Sequence, residues 1–227
     1  MRSGTIIATL CVATLFAGCG RENNADSFET KEATTAPGFQ HYPATSGIIA
    51  SRTTGMIDSE TTVYFDENGA REATYTTSVM RFGRDSVISR SIEIRDGNWF
   101  YSYKEDEDEW VRWNAKDLGD FAAPSVPGVS GNPSATLMQD AMKGSADAKE
   151  LPARTIVGRE ASGIEMEMMG MKMRMWMWEN ITLRSEVEMG NTPTITEVTS
   201  LQLGVPVSAD RFRPPADAKV VDAAMNR

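Results

Sequence analysis

Seven methionines fall between Met166 and Met177, within the stretch 163–178, GIEMEMMGMKMRMWMW. Thioether sulfur is a soft, neutral donor, and a set of such donors in an exported protein would select Cu(I). The same unbranched, polarizable side chains also suit a surface that must adapt to apolar ligands of varied shape. Two acids in this stretch, Glu165 and Glu167, share one strand face, a spacing at which carboxyl groups can cooperate in acid–base chemistry. Nucleophilic catalysis of the Ser-His-Asp or Cys-His kind needs a base, and the one histidine, His41, lies in a polar linker. The chain carries no phosphate-cradling glycine loop, zinc-spaced ligand set or dinucleotide fingerprint. These residues point to a binding protein rather than an enzyme, with no bound cofactor.

The elements that position the methionines follow from their alternation with charges. Read as two strands joined by a two-residue turn at Met169-Gly170, the stretch places Met168 opposite Met171, Met166 opposite Met173 and Ile164 opposite Met175. The same register sets Glu167 against Lys172 and Glu165 against Arg174, so the acids form a salt-bridge ladder on the outer face rather than a catalytic pair. A slip of one residue would put methionines across from charges and lose both seams. Gly170 at the second turn position supplies the positive φ that tight hairpins require.

The meander continues with three-residue loops at 178–180 and 190–192. Met177 then faces Ile181, Met175 faces Leu183, Met171 faces Val187, and Val187 faces Ile195. One apolar face crosses four strands, and its candidate ligand-binding residues are Ile164, Met166, Met168, Met171, Met173, Met175, Met177 and Leu183. Lys172, Arg174, Trp176, Arg184, Glu186 and Glu188 lie on the other face, where Trp176 and Trp178 could touch a membrane interface.

Elsewhere the chain reads as short β-rich runs at 47–57, 60–66, 70–82, 86–95, 98–104 and 109–114, then 153–158 and 162–168. Asp66-Glu67-Asn68-Gly69 and Asp96-Gly97 supply turn chemistry. The acidic run 105–109 lacks the glycine and the alternating ligand spacing of a calcium loop, and reads as a solvated hairpin tip. Residues 122–133 are a Pro/Gly/Ser loop. Leu137, Met138, Ala141 and Met142 recur at helical spacing and predict a short amphipathic helix over 134–143, packed on the sheet. No parallel βαβ rhythm is present, which excludes doubly wound folds. The tail after 203 is an irregular coda along the sheet edge.

The first nineteen residues, MRSGTIIATLCVATLFAGC, carry one basic residue and an apolar run too short to span a bilayer, ending in small residues before Cys19. This is the pattern of a bacterial lipoprotein signal over 1–18, with Cys19 as the lipidation site. Cys11 leaves with the signal, so the mature chain has one cysteine and no internal disulfide. Residues 19–45 form a polar tether, and 46–222 form the folded domain. About 210 residues remain after the signal, enough for a single domain with its own core. The formal net charge of −9 leaves no basic patch for phosphates, so nucleic acid is not an expected partner. Gly20, in place of the Asp that retains some lipoproteins at the inner membrane, points to the outer membrane facing the periplasm.

The lipoprotein signal, the tether, the run of antiparallel strands, GREASGIEME at 158–167, MWMWENITL at 175–183 and PVSADRFRPPADAKV at 206–220 together resemble the LolA/LolB superfamily. The closer resemblance is to its lipid-anchored, outer-membrane lipoprotein-sorting-like relatives, and it spans residues 47–222. The resemblance implies an α+β fold: a single half-open antiparallel β-barrel of about eleven strands, its concave face covered by the helical insertion. It also implies an apolar cavity that takes acyl chains. The function expected is therefore a lipid-anchored envelope protein that binds a lipid or acylated ligand. The alternatives are an envelope sensor module with a protein partner, and a periplasmic Cu(I) binder working through the methionine hairpin. Cys19→Ala is expected to give a chain that is uncleaved or released in soluble form. Mass spectrometry of the native amino terminus checks this, and an unmodified terminus at another residue would contradict the anchor.

Overall fold

The computed structural model describes residues 42–55, 57–83, 85–105, 108–114, 148–168, 170–189 and 192–223. The signal, the lipidation site Cys19, most of the tether and the 134–143 helix lie outside the described residues. Twelve strands form one sheet: β1 Gly47–Thr54, β2 Asp58–Asp66, β3 Arg71–Phe82, β4 Asp85–Asp96, β5 Trp99–Lys104 and β6 Glu109–Asn114, then β7 Lys149–Ile156, β8 Arg159–Met168, β9 Met171–Trp178, β10 Ile181–Met189, β11 Thr192–Leu203 and β12 Val220–Asp222. Their spatial order is β12-β6-β5-β4-β3-β2-β1-β11-β10-β9-β8-β7. Two meanders therefore meet where β1 pairs with β11, and β7 and β12 are the open edges.

The strands match the sequence reading closely, with three corrections. The described residues contain no α-helix, only 3-10 turns at Glu67–Gly69 and Ala209–Phe212, so the α+β class finds no support within them. The tail adds a twelfth strand: Val220–Asp222 pairs with β6 in parallel, the one parallel pair among the described strands. Tyr42, assigned to the tether for its polar surroundings, is fully buried and stacks on Phe65 with ring centroids 3.9 Å apart.

The hairpin register is as read: Met168↔Met171, Met166↔Met173, Ile164↔Met175, Glu167↔Lys172 and Glu165↔Arg174. Gly170 holds φ +76, as its place in the two-residue turn demands. The next two connections differ from expectation. Ile181 pairs with Trp178 and Met189 with Thr192, so both loops have two residues rather than three. A bulge between Thr182 and Arg184 then absorbs Leu183, after which Ser185 meets Met175 and Val187 meets Met173. Bulges also fall between Leu151 and Arg154 on edge strand β7 and between Ala50 and Ser51 where β1 meets β11. Each inserts an extra residue, re-aims side chains and increases local twist. Pro152 sits inside the β7 bulge, where an edge strand tolerates its missing N–H.

Three apolar clusters hold the sheet. One joins Tyr42, Ile49, Val63 and Phe65 to Trp176, Ile181 and Leu183. A second gathers Ala73, Ile94 and Trp110 under Phe212 and Val207 of the tail. The third is the methionine seam itself. The tail is pinned further by the Arg71 guanidinium, 4.6 Å above the Phe212 ring, and by Arg211, 4.7 Å above Tyr64. At the other end Tyr42 donates a 2.6 Å hydrogen bond to Glu72, whose carboxyl burial pushes above its ordinary range. Tyr42→Phe leaves that buried carboxyl short of a donor, and the expected cost is about 1–3 kcal/mol. The check is a lower urea midpoint with an unchanged slope; an unchanged midpoint would mean that the hydroxyl contributes nothing to the docking of this segment.

Candidate functional site

The methionine face is built by β8 and β9. Met175 and Met177 are buried, at 9% and 6% exposure, and Ile164, Met166 and Met173 pack against them half-buried. Met171 is half-buried on the same face, and Met168 occupies the position opposite it. Every member of this cluster comes from β8 or β9, with none from another described element. Leu183 is not part of it. The two-residue loop and the bulge after it set Ser185 opposite Met175, and Leu183 instead packs in the cluster of Trp176, Ile181 and Ile49, where it is fully buried.

The expected apolar face across four strands is likewise corrected. Following the register from Met175, the row runs through Ser185, Thr196, Thr53, Ser59, Ser78 and Ser89. Along this row the face beyond β9 is lined with hydroxyls, and Val187 opposite Met173 continues the apolar part. Some of these groups satisfy one another, as in Thr53 with Thr196 at 2.9 Å and Thr61 with Thr76 at 3.2 Å. A parallel row, Ile49–Val63–Thr74–Glu93–Ser102–Val111, brings Glu93 onto this face, and burial raises its carboxyl above the usual range. The face is thus soft and apolar at β8–β9, hydroxylic along the row from Ser185 to Ser89, and mixed along the row from Ile49 to Val111.

A cleft of about 470 Å³ opens where β7 borders β8, lined by Leu151, Ala153, Gly163, Ile164 and Met177, with Glu150 and Glu179 as its acidic members. Its size falls in the range of small-molecule sites. Two of the candidate ligand-binding residues, Ile164 and Met177, are therefore in its wall.

The opposite face of the hairpin carries an ion ladder extended over five strands, with Glu165 and Arg174 paired as expected but Lys172 turned to Glu165 rather than Glu167. Arg174 donates from Nε to Glu165 at 2.7 Å and from a terminal nitrogen to Glu188 at 2.7 Å and Glu186 at 3.3 Å. Lys172 stands 3.3 Å from Glu165, Arg184 donates to Glu186 at 2.8 Å and to Glu197, and Arg154 reaches Glu186 at 3.5 Å. The bond from Arg174 holds the Glu165 carboxyl below its ordinary value, so it is a poor proton donor for an acid–base pair with Glu167. Burial pushes Glu186 upward, but its bonds to Arg184 and Arg174 prevail and leave it lowered.

Trp176 shares this face yet is only 2% exposed, which overturns the membrane-contact reading for that residue. The glycine opposite it makes room for the indole: a Cβ at Gly163 would lie 2.7 Å from Trp176 Nε1. Nε1 donates to the Pro152 carbonyl at 3.1 Å, and the Arg154 guanidinium covers the ring at 3.9 Å. Sequence reasoning could have found this site from the Gly163–Trp176 pairing alone, since a large ring beside a glycine signals packing.

No protein-family model and no curated protein matches this chain. Among solved structures, it is similar to an uncharacterized conserved protein from Thermus thermophilus, with 12% identity over 79% of this chain and 91% of that one and a TM-score of 0.48. LprF from Mycobacterium bovis gives 10% identity over 75% and 90% of the two chains and a TM-score of 0.40. MucB, solved in complex with MucA(peri), gives 12% identity over 78% of this chain and 56% of that one, with a TM-score of 0.41. Likeness of this degree assigns neither a family nor a function.

The ion ladder has a pH signature. A carboxyl lowered in the folded state stabilises the protein above its ordinary value of 4.5 and loses that contribution as pH falls through the lowered value. In urea denaturation, the stability difference between wild type and Arg174→Leu is expected to be largest at neutral pH and to shrink on acidification below pH 4.5. A difference independent of pH would show that the ladder contributes packing and not charge.

Proposed function

We propose that this chain is a lipid-anchored cell-envelope protein whose methionine face takes an apolar, acyl-chain ligand. The observation that carries the reading is a thioether-rich cluster drawn wholly from β8 and β9, whose members Ile164, Met166 and Met173, with Met171 beside them, remain only half-buried. Apolar area held in this way lowers free energy only when something covers it, at about 25 cal/mol per Å². Flexible methionines fit chains whose bends differ from one ligand to the next. The cleft bounded by Ile164 and Met177 gives such a chain a place to enter.

The change in chemistry along the face supports an amphiphile rather than a hydrocarbon. An acyl chain lies against Met166, Met173 and Met175, and its polar end meets the hydroxyl row that starts at Ser185 and Thr196. Each methylene removed from water contributes about 0.8 kcal/mol, so half of a fatty chain already gives useful affinity. The anchor at Cys19 and the tether would keep the domain beside the membrane from which such ligands come. Transport of lipoproteins in the manner of the LolA/LolB superfamily is one use of this site, and lipid handling in the envelope is the broader one.

The test is solvent extraction of the natively expressed protein, identification of any lipid, and repetition with Met173→Glu and Met175→Glu. Co-purified lipid is expected from the wild type, with at least about a tenfold loss in the variants, because an unpaired carboxylate on the seam is costly to bury. A wild type that yields no lipid and binds no hydrophobic probe would sink the proposal.

A further inference from the structure

We propose that the methionine face also forms a Cu(I) site, with Met166, Met173 and Met175 as its thioether ligands. Met166 and Met173 are direct cross-strand partners, and Met175 lies two residues along β9 on the same face. All three belong to one packed cluster. Directly opposed side chains on antiparallel strands have Cβ atoms about 4.5–5.5 Å apart, and same-face neighbours along a strand recur at about 6.6 Å. Three unbranched side chains at those separations, each with three rotatable bonds, can bring their sulfurs to a common point above the hairpin.

The composition of the two strands asks for sulfur as such. An apolar strand face is served better by Val, Ile or Phe, which favour the pleated backbone. Here methionine fills positions 166, 168, 171, 173, 175 and 177, while the intervening positions 165, 167, 172 and 174 carry charges directed to the other face. Lys172 and Arg174 are engaged there by Glu165, so neither cation competes for the space above the thioethers. Among the described residues, no group of three His, Cys, Asp or Glu side chains could hold a metal. A neutral, all-thioether set matches a soft monovalent ion, Cu(I) or its surrogate Ag(I), rather than zinc, calcium or magnesium. Binding releases no proton, because thioethers carry none, and it involves no change in the oxidation state of the metal.

This inference stands apart from the acyl-ligand reading, and leucine separates the two. Leu replaces Met with nearly the same volume and apolarity but without sulfur. The processed full chain, its free thiols capped with N-ethylmaleimide, is titrated anaerobically with Cu(I) against a chromophoric Cu(I) chelator. The wild type is expected to withdraw one Cu(I) per chain. Met166→Leu/Met173→Leu is expected to weaken this by on the order of a hundredfold, since even outer-shell changes cost 10–100-fold at metal sites. Far-ultraviolet circular dichroism of the same double variant is expected to match the wild type, so that the loss of copper reports the missing sulfurs. X-ray absorption of the wild-type complex should give a sulfur shell around copper, a readout that stands if the double variant does not fold. A wild type that takes no Cu(I) from the chelator, a double variant that competes equally well, or a copper shell without sulfur overturns the site. Probe binding by the wild type is read separately with N-phenyl-1-naphthylamine: its absence, with the copper results as expected, counts against the acyl ligand and not against the metal.

Discussion

The alternation of thioether and charge across one tight turn is the constraint on which the rest of the arrangement depends. Strand side chains change face at every residue, so the pairs Met166–Met173 and Glu165–Arg174 can be satisfied only together. That register dedicates one face of β8–β9 to soft apolar contact and the other to ions. The ion face in turn fixes β10 and β11, because Glu165, Arg174, Glu186, Arg184 and Glu197 form one chain of contacts across four strands. Individually, half-exposed pairs of this kind contribute little. Their combined effect is on register, since a slipped strand would bring like charges together.

The bulges reconcile this register with a buried core. Without the extra residue at Leu183, the register set by Ile181–Trp178 and Thr182–Met177 would present Arg184 to Met175 and Glu186 to Met173, putting charges on the thioether face. With it, Leu183 joins Ile181 and Trp176 in the main core, and the face opposite β9 becomes Thr182 and Ser185. The methionine seam is thereby confined to two strands. Its neighbours on β10 are Thr182, Ser185 and Val187, and the row that continues from Ser185 is hydroxylic, so a polarity boundary lies beside the seam.

Much of this was legible in the sequence, and the parts that were not have identifiable causes. The strands were readable because alternation and turn residues agree at each one, most clearly at Gly170 and at Asp96-Gly97. The hairpin register was readable because two independent pairings coincide. The loop lengths at 179–180 and 190–191 were misjudged because a three-residue loop kept the apolar face continuous, and nothing in ITLRSEV marks the bulge that does the same work by another route. Trp176 was misplaced because alternation alone puts it beside Arg174; its burial comes from Gly163, Pro152 and Arg154, two of them on a neighbouring edge strand that bulges. Tyr42 looked like tether because its sequence neighbours are polar, whereas its partners Phe65 and Glu72 are distant in sequence. The short parallel strand at Val220–Asp222 goes with the packing of Phe212, Val207 and Ala218 of the tail against Ala73, Ile94 and Trp110, contacts with no local signature.

The central claim, that the thioether face receives an apolar chain, is tested most directly by methyl NMR of the protein labelled with carbon-13 at the methionine methyl groups. A spin-labelled fatty acid serves as the probe. The account predicts strong paramagnetic broadening of the methyls of Met166, Met171, Met173, Met175 and Met177, with Met80, exposed on the β3–β4 hairpin, left sharp. Broadening confined to Met80, or no broadening at saturating fatty acid, would contradict it.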